Sequence, residues 1–333
     1  MTQPPGSAAR DAEPLIVLGE VRSCLLPTST ALSRPMVQDL LTLVPGRRVP
    51  ARDRPIPIAQ SATTAVGVDC DLAIERGNGR DPRAIGTVAV QAVVVGGRIL
   101  QSSARTEVVV AQQKRRREWS HYLSRVGMVE VVTRTAPDIA HRLAEGYLAG
   151  ETPAHTLDLA SICERLLARV RRDTRLDRRP PLLAPPTRLR WIARVGEVDE
   201  PRLAMHLVND TVRTARVLVP DAALLPEVRR FCEDLAVHDW LLTTTAAAVQ
   251  ESDRFPSGSA ESVEALTPVL TELAHLWMPG AHLGEPVRSL WAQLQREPGF
   301  TNQWNAYIGH IRDRTSVAML HALRASRVGT TEW

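Results

Sequence analysis

Two pairs of residues in this 333-residue chain have the types and proximity that could do chemistry. His275 and His282 flank Met278-Pro279-Gly280, with Glu285 three residues on. Imidazole and carboxylate are zinc-type donors. A His-x6-His spacing across a turn matches no familiar metal motif, however, and His-Glu-x-x-His is absent, so no metal is expected. His238-Asp239 places a carboxylate beside an imidazole it might orient. Adjacent residues on a helix point about 100° apart and do not face each other. His238 also falls on the apolar stripe of its helix, so a satisfied core or interface histidine is expected.

Other chemistries leave fewer traces. The phosphate-cradling pattern Gly-x-x-x-x-Gly-Lys-Ser/Thr is missing, and Gly77-Asn78-Gly79 lacks both the third glycine and the strand-to-helix setting of a dinucleotide fold. There is no Gly-x-Ser-x-Gly elbow. A triad assembled from distant residues stays open, because such groups meet in space. Cys24, Cys70, Cys163 and Cys232 form no Cys-x-x-Cys pair, and each lies in or beside an apolar segment, as core thiols do. No catalytic, cofactor-binding or metal residue is therefore assigned. Were the chain an enzyme of unrecognised type, His238, His275, His282 and Glu285 would be the first residues to test.

The densest positive cluster is Lys114-Arg115-Arg116-Arg117, followed by Trp119, His121 and Tyr122. Such a loop can grip phosphate while Trp119 stacks on bases. With no nucleic-acid module beside it, the simpler reading is a solvated loop after an edge strand, where charge discourages aggregation. Lys114 is the only lysine; all other basic residues are arginine, as in GC-rich coding. Six of seven tryptophans follow residue 186. Trp304, Ile308 and Ile311 share one stripe of the last helix and, with the terminal Trp333, are the candidate protein-partner contacts.

The elements that must position these residues fall into two halves. Residues 1–13 read as a loose tail. Leu15–Val21 is a β-type run, and Ser33 with Pro35 opens a helix closed by Pro45-Gly46. Two β-rich runs around Gly96-Gly97 spell a hairpin, since both turn positions need positive φ. Gly86 and Ser102-Ser103 would permit bulges within it. Helical spacing then appears from Pro137-Asp138 and again from Leu159 to Val170. Pro180-Pro181 and Pro185-Pro186 mark a stiff connector at 179–186, so one domain is expected at 14–178 and another at 187–325, with a loose end at 326–333. The second half begins with three short runs that could form a small antiparallel sheet. A long helix from about Asp221 to Val249 follows, then a helical array. The fold class is α+β.

Composition agrees with a globular protein: 44% hydrophobic, 23% charged, and a formal charge of +4 that falls short of the surplus typical of phosphate binders. No apolar run reaches the roughly 18–20 residues that cross a bilayer. The N-terminus shows no signal-peptide pattern, and reduced thiols in a cytoplasmic protein are expected.

Several strings together resemble an uncharacterised family of conserved actinobacterial proteins. They are Leu15-Ile-Val-Leu-Gly-Glu-Val-Arg22 with Cys24-Leu-Leu26, Gly96-Gly-Arg-Ile-Leu-Gln-Ser-Ser-Ala-Arg105, Trp119-Ser-His-Tyr-Leu123, His275-Leu-Trp-Met-Pro-Gly-Ala-His282 and Pro298-Gly-Phe-Thr-Asn-Gln-Trp-Asn305. The resemblance spans about Leu15 to Arg324. It implies a gene neighbourhood shared with a variant MinD/ParA-like P-loop protein and a probable methyltransferase, and attaches no activity to any residue. The function expected is a non-catalytic accessory or scaffold subunit with a protein partner, a P-loop ATPase among the candidates. The alternative is a nucleic-acid-associated protein using Lys114 to Arg117.

Overall fold

The computed structural model describes residues 14–75, 81–113, 115–134, 136–151, 153–297 and 299–328. The expectations for the 1–13 tail, Lys114 and Trp333 lie outside them. The fold is α+β: one mixed ten-stranded sheet with helices on both faces.

Strand β1 (Ile16–Leu25) is the axis of the sheet. Its side chains alternate, as period-2 backbone requires. Val17, Val21 and Leu25 enter one core, while Ile16, Leu18 and Cys24 enter the cores opposite. The glycine pair makes the expected hairpin between β5 (Arg83–Val95) and β6 (Ile99–Val110), with φ of +60° at Gly96 and +66° at Gly97. Beyond Ala89 and Arg105 those strands separate, and β7 (Met128–Val131) enters between them, antiparallel to one and parallel to the other. Gly86 permits this, because a Cβ there would lie 2.2 Å from the Met128 carbonyl oxygen. Three further strands, β2 (Ala51–Arg52), β3 (Ile58–Gln60) and β4 (Thr64–Asp71), pair along β3 and β5.

The three strands after the proline-rich segment are present as β8 (Thr187–Val195), β9 (Arg202–Leu207) and β10 (Val212–Val219), but they form no separate antiparallel sheet. β8 pairs with β1 on one side and runs parallel to β10 on the other, leaving β9 at the edge. Burial explains the order. Leu189, Trp191 and Ala193 on one face of β8 and Ile192 on the other are all buried, so β8 must be central. β9 exposes Arg202, His206 and Leu207 and suits an edge. The sheet is therefore continuous across residues 179–186, where a domain boundary was expected. Trp240 Nε1 ties that segment down by donating to the Pro185 carbonyl at 3.1 Å.

Helices α1 (Arg34–Leu40), α3 (Ile139–Ala149) and α4 (Leu159–Arg171) cover one face of the sheet. A short α2 (Trp119–Leu123) lies against β4 and β5. The other face carries α5 (Leu225–Ser252), α6 (Ala260–Pro268), α7 (Glu285–Arg296) and α8 (Phe300–Val328). Between α6 and the 278–283 loop the backbone runs as a π turn over Val269–Leu273 and a tight turn over Ala274–Leu276, in place of the regular helix the spacing predicts to Trp277. Pro268, which has no N–H to donate, sits at that change of geometry.

Candidate functional site

Between the N-terminal half of α5 and strands β3, β5 and β6 lies a cleft of about 280 Å³. Local periodicity builds both walls. Val93 and Val95, two residues apart on β5, share a face with Ile58 of β3. Arg229, Glu233 and Val237 recur every four residues on α5 and so share a helix face. Leu283 adds a further apolar surface.

The polar groups are unevenly satisfied. Gln101 of β6 donates from Nε2 to Ser23 Oγ at 2.9 Å and to the Glu233 carbonyl at 3.0 Å, fastening α5 to the sheet. Arg229 donates to Gln91 Oε1 at 3.0 Å and stands 4.0 Å from Glu233 Oε1. Arg230 turns aside to pair with Glu227 at 2.7 Å. Glu233 is only 6% exposed, and its Oε1 meets no hydrogen-bond donor among the described residues. Buried polar atoms nearly always have a partner, so this one stands out.

The fourth side of the cleft is the 278–283 loop, held by two residues one turn apart on α5. Asp234 Oδ2 accepts from the Gly280 backbone N–H at 2.8 Å and from Trp291 Nε1 at 2.7 Å. His238 Nε2 accepts from the Met278 N–H at 3.2 Å, so Nδ1 carries the hydrogen, which it donates to the Asp234 carbonyl at 2.8 Å. Both ring nitrogens are used, as the apolar stripe predicts for a core histidine. The ring also stands edge-on to Trp277 and Trp291. Asp239 turns away and pairs with Arg213 at 2.9 Å.

Loop fixation brings His282 into the cleft, where its Nε2 is buried and unpartnered among the described residues. Burial holds this imidazole below its ordinary pKa, against the opposing pull of Asp234 and of a hydrogen bond to the Ile56 backbone. Burial thus favours its neutral form. His275 is exposed and Glu285 pairs with Arg288 at 2.5 Å, so the His275, His282 and Glu285 set does not assemble. No cluster of three or more metal-ligating side chains occurs among the described residues. All four cysteines are free, and burial raises every thiol, Cys24 and Cys70 to about 11. None supplies a thiolate nucleophile at neutral pH.

The basic loop is partly engaged within the chain. Arg116 pairs with Asp69 at 3.2 Å and lies over the Trp119 ring at 5.5 Å. The Arg117 backbone N–H donates to the Tyr122 hydroxyl, and His121 pairs with Glu130. Trp119 packs edge-on to Tyr122 and against Gly67, where a Cβ would come within 3.1 Å of its ring. Arg115 is exposed.

Comparison with profiles of known protein families, with curated proteins and with solved structures finds no match. The site therefore rests on geometry alone.

At the far end of α5 the last helix shows the opposite character. Trp304, Ile308 and Ile311 face inward to the α5–α7 core, with Trp304 stacked on Trp277 at 4.4 Å. That burial removes them as surface contacts for a partner. Six to nine residues past Ile311 apolar side chains reach solvent: Val317 is 37% exposed, Met319 66% and Leu320 54%. Val317 and Leu320 do not continue the Trp304–Ile308–Ile311 stripe: at about 100° per residue they fall on the opposite side of the helix.

Proposed function

We propose that this chain is a non-catalytic accessory subunit that docks another protein through the last turns of α8. The exposed run Val317, Met319 and Leu320 carries this reading. Val317 and Leu320 lie three residues apart, the spacing with which a helix engages an apolar groove. Arg314 anchors the helix just before this point by donating to the Ser252 carbonyl at 3.0 Å and pairing with Asp253, so the apolar turns are presented from a fixed base. Raised thiols and the fully bonded His238 ring fit a binding role better than a nucleophilic one. The resemblance to proteins encoded near a P-loop ATPase homologue makes such an ATPase the first partner to try.

The test is affinity capture from the native cells, with and without nuclease, comparing the unaltered chain with Met319→Ser/Leu320→Ser. A stoichiometric protein partner that survives nuclease and is absent from the double variant, with both chains melting alike, is the expected result. Equal capture by both chains refutes the docking surface. Material lost on nuclease treatment would instead move attention to the Arg115–Arg117 loop, whose binding should then weaken steeply with salt.

A further inference from the structure

The backbone groups on either side of His238 fix where its hydrogen sits. Nδ1 lies 2.8 Å from the Asp234 carbonyl, which can only accept. Nε2 lies 3.2 Å from the Met278 N–H, which can only donate. Both bonds form only while the ring is neutral. A protonated imidazole carries a hydrogen on each nitrogen, so neither orientation of the ring leaves an acceptor for Met278.

The surroundings offer that second hydrogen no outlet. His238 is 1% exposed, and Met278 is the partner of its Nε2 among the described residues. The charged groups about the ring come from four elements. On α5, Asp234 Oδ1 stands 3.6 Å from Nδ1 and supplies a counter-charge. The loop brings His282, close enough to repel a charged His238, and β2 brings Arg52, which acts on His282. From α7, Arg288 donates to the Leu283 carbonyl at 3.2 Å, at the far end of the loop.

The loop depends on this bond. Its backbone is tied to α5 at Met278, by His238, and at Gly280, by Asp234 at 2.8 Å. The Ala281 and Leu283 N–H groups bond back within the loop, to the Met278 and Gly280 carbonyls at 3.2 and 3.1 Å. His282 and Leu283, which wall the cleft, are thus held in place through those two ties. We infer that His238 is a proton-operated latch: the neutral ring holds the 278–283 loop against α5 as a wall of the cleft, and protonation releases the loop and opens the cleft.

Hydrogen–deuterium exchange of the full chain reads the latch directly when corrected for the intrinsic pH dependence of exchange. The comparison is between about pH 7.5 and about pH 5, since histidines ordinarily take up a proton between the two. At the lower pH the 278–283 amides should lose at least about tenfold in protection, as a buried donor left unsatisfied requires. Strands β1, β6 and β8 should keep theirs. His238→Gln retains one donor and one acceptor and does not titrate, so its loop should stay closed at both pH values. His282→Asn should still open. Unchanged protection in the unaltered chain overturns the latch, as does a loss that spreads through the sheet. So does a loss that persists in His238→Gln or vanishes in His282→Asn. Should His238→Gln misfold, imidazole nitrogen NMR of the unaltered chain decides instead. The His238 ring must gain its second proton over the same pH interval in which the loop opens, and a neutral ring beside an open loop refutes the inference.

Discussion

Glu20 and Glu233 are both buried glutamates, one on each side of the sheet, and their surroundings differ in a single respect. Glu20 is enclosed. Arg188 bonds it directly, Arg190 approaches to 3.7 Å, and the Tyr147 hydroxyl lies 3.5 Å from its other oxygen. Register produces this cluster: Arg190 stands opposite Glu20 on β8, and Arg188 opposite Arg22. Burial pushes the Glu20 carboxyl up, while Arg188 and Arg190 pull it back. Glu233 is nearly as buried, yet its Oε1 has no hydrogen-bond partner among the described residues and stands 4.0 Å from Arg229. A charge closed in by its own chain has nothing left to offer a ligand. One left short of partners is held less tightly by the fold, and this asymmetry separates the two faces.

The strongest test of that contrast is Glu20→Gln. It leaves two guanidinium groups facing a neutral amide in a buried space, and breaking such a pair costs about 3–5 kcal/mol. Urea denaturation should show a loss of that order; a loss below about 1 kcal/mol would mean that the cluster is not a closed structural unit. Tyr147→Phe is a milder probe. It removes the hydroxyl that donates to the Gly19 carbonyl at 2.9 Å but keeps the ring beneath Arg190, so a loss of about 1 kcal/mol is expected.

How much of this was legible in the sequence follows from how far each feature reaches along the chain. The Gly96-Gly97 hairpin, the Leu159–Arg171 helix and the long α5 each carry their signal within a few turns or one strand pair, and all three are present. The small antiparallel sheet after the prolines was misread because pairing partners 168 residues apart, such as Val21 and Leu189, leave no local trace. The cleft is harder still. It draws on residues near 58, 93, 101, 233 and 282, brought together only by the sheet order and the loop that Asp234 and His238 hold. Nothing beside Glu233 in sequence distinguishes it from any other helix acid. His282 was visible as a candidate, but for a metal set whose other members point elsewhere. On α8, periodicity marked the Trp304–Ile308–Ile311 face, which the structure buries, and gave no sign of the exposed apolar residues on the other side.

Glu233→Gln is the mirror of the Glu20 substitution and should behave oppositely. A carboxylate with one unbonded oxygen and only a 4.0 Å contact to Arg229 is replaced by an amide, so stability is expected to hold within about 0.5 kcal/mol, as seen in the denaturation midpoint. A loss as large as that of Glu20→Gln would place Glu233 among the structural charges and erase the contrast between the two faces.

The smallest effect concerns pH. His282 is held below its ordinary pKa in the folded chain, so on acidification the unfolded chain takes up the proton first. Protons bound preferentially by the unfolded state lower stability as pH falls. The contribution of His282 is thus complete above the ordinary histidine value of about 6.5 and is lost progressively below it, down to its depressed value. His282→Asn should therefore show a shallower decline of the unfolding midpoint between neutral pH and the carboxylate range than the unaltered chain. Identical pH profiles for both chains would show that the imidazole is solvated rather than walled in beside the cleft.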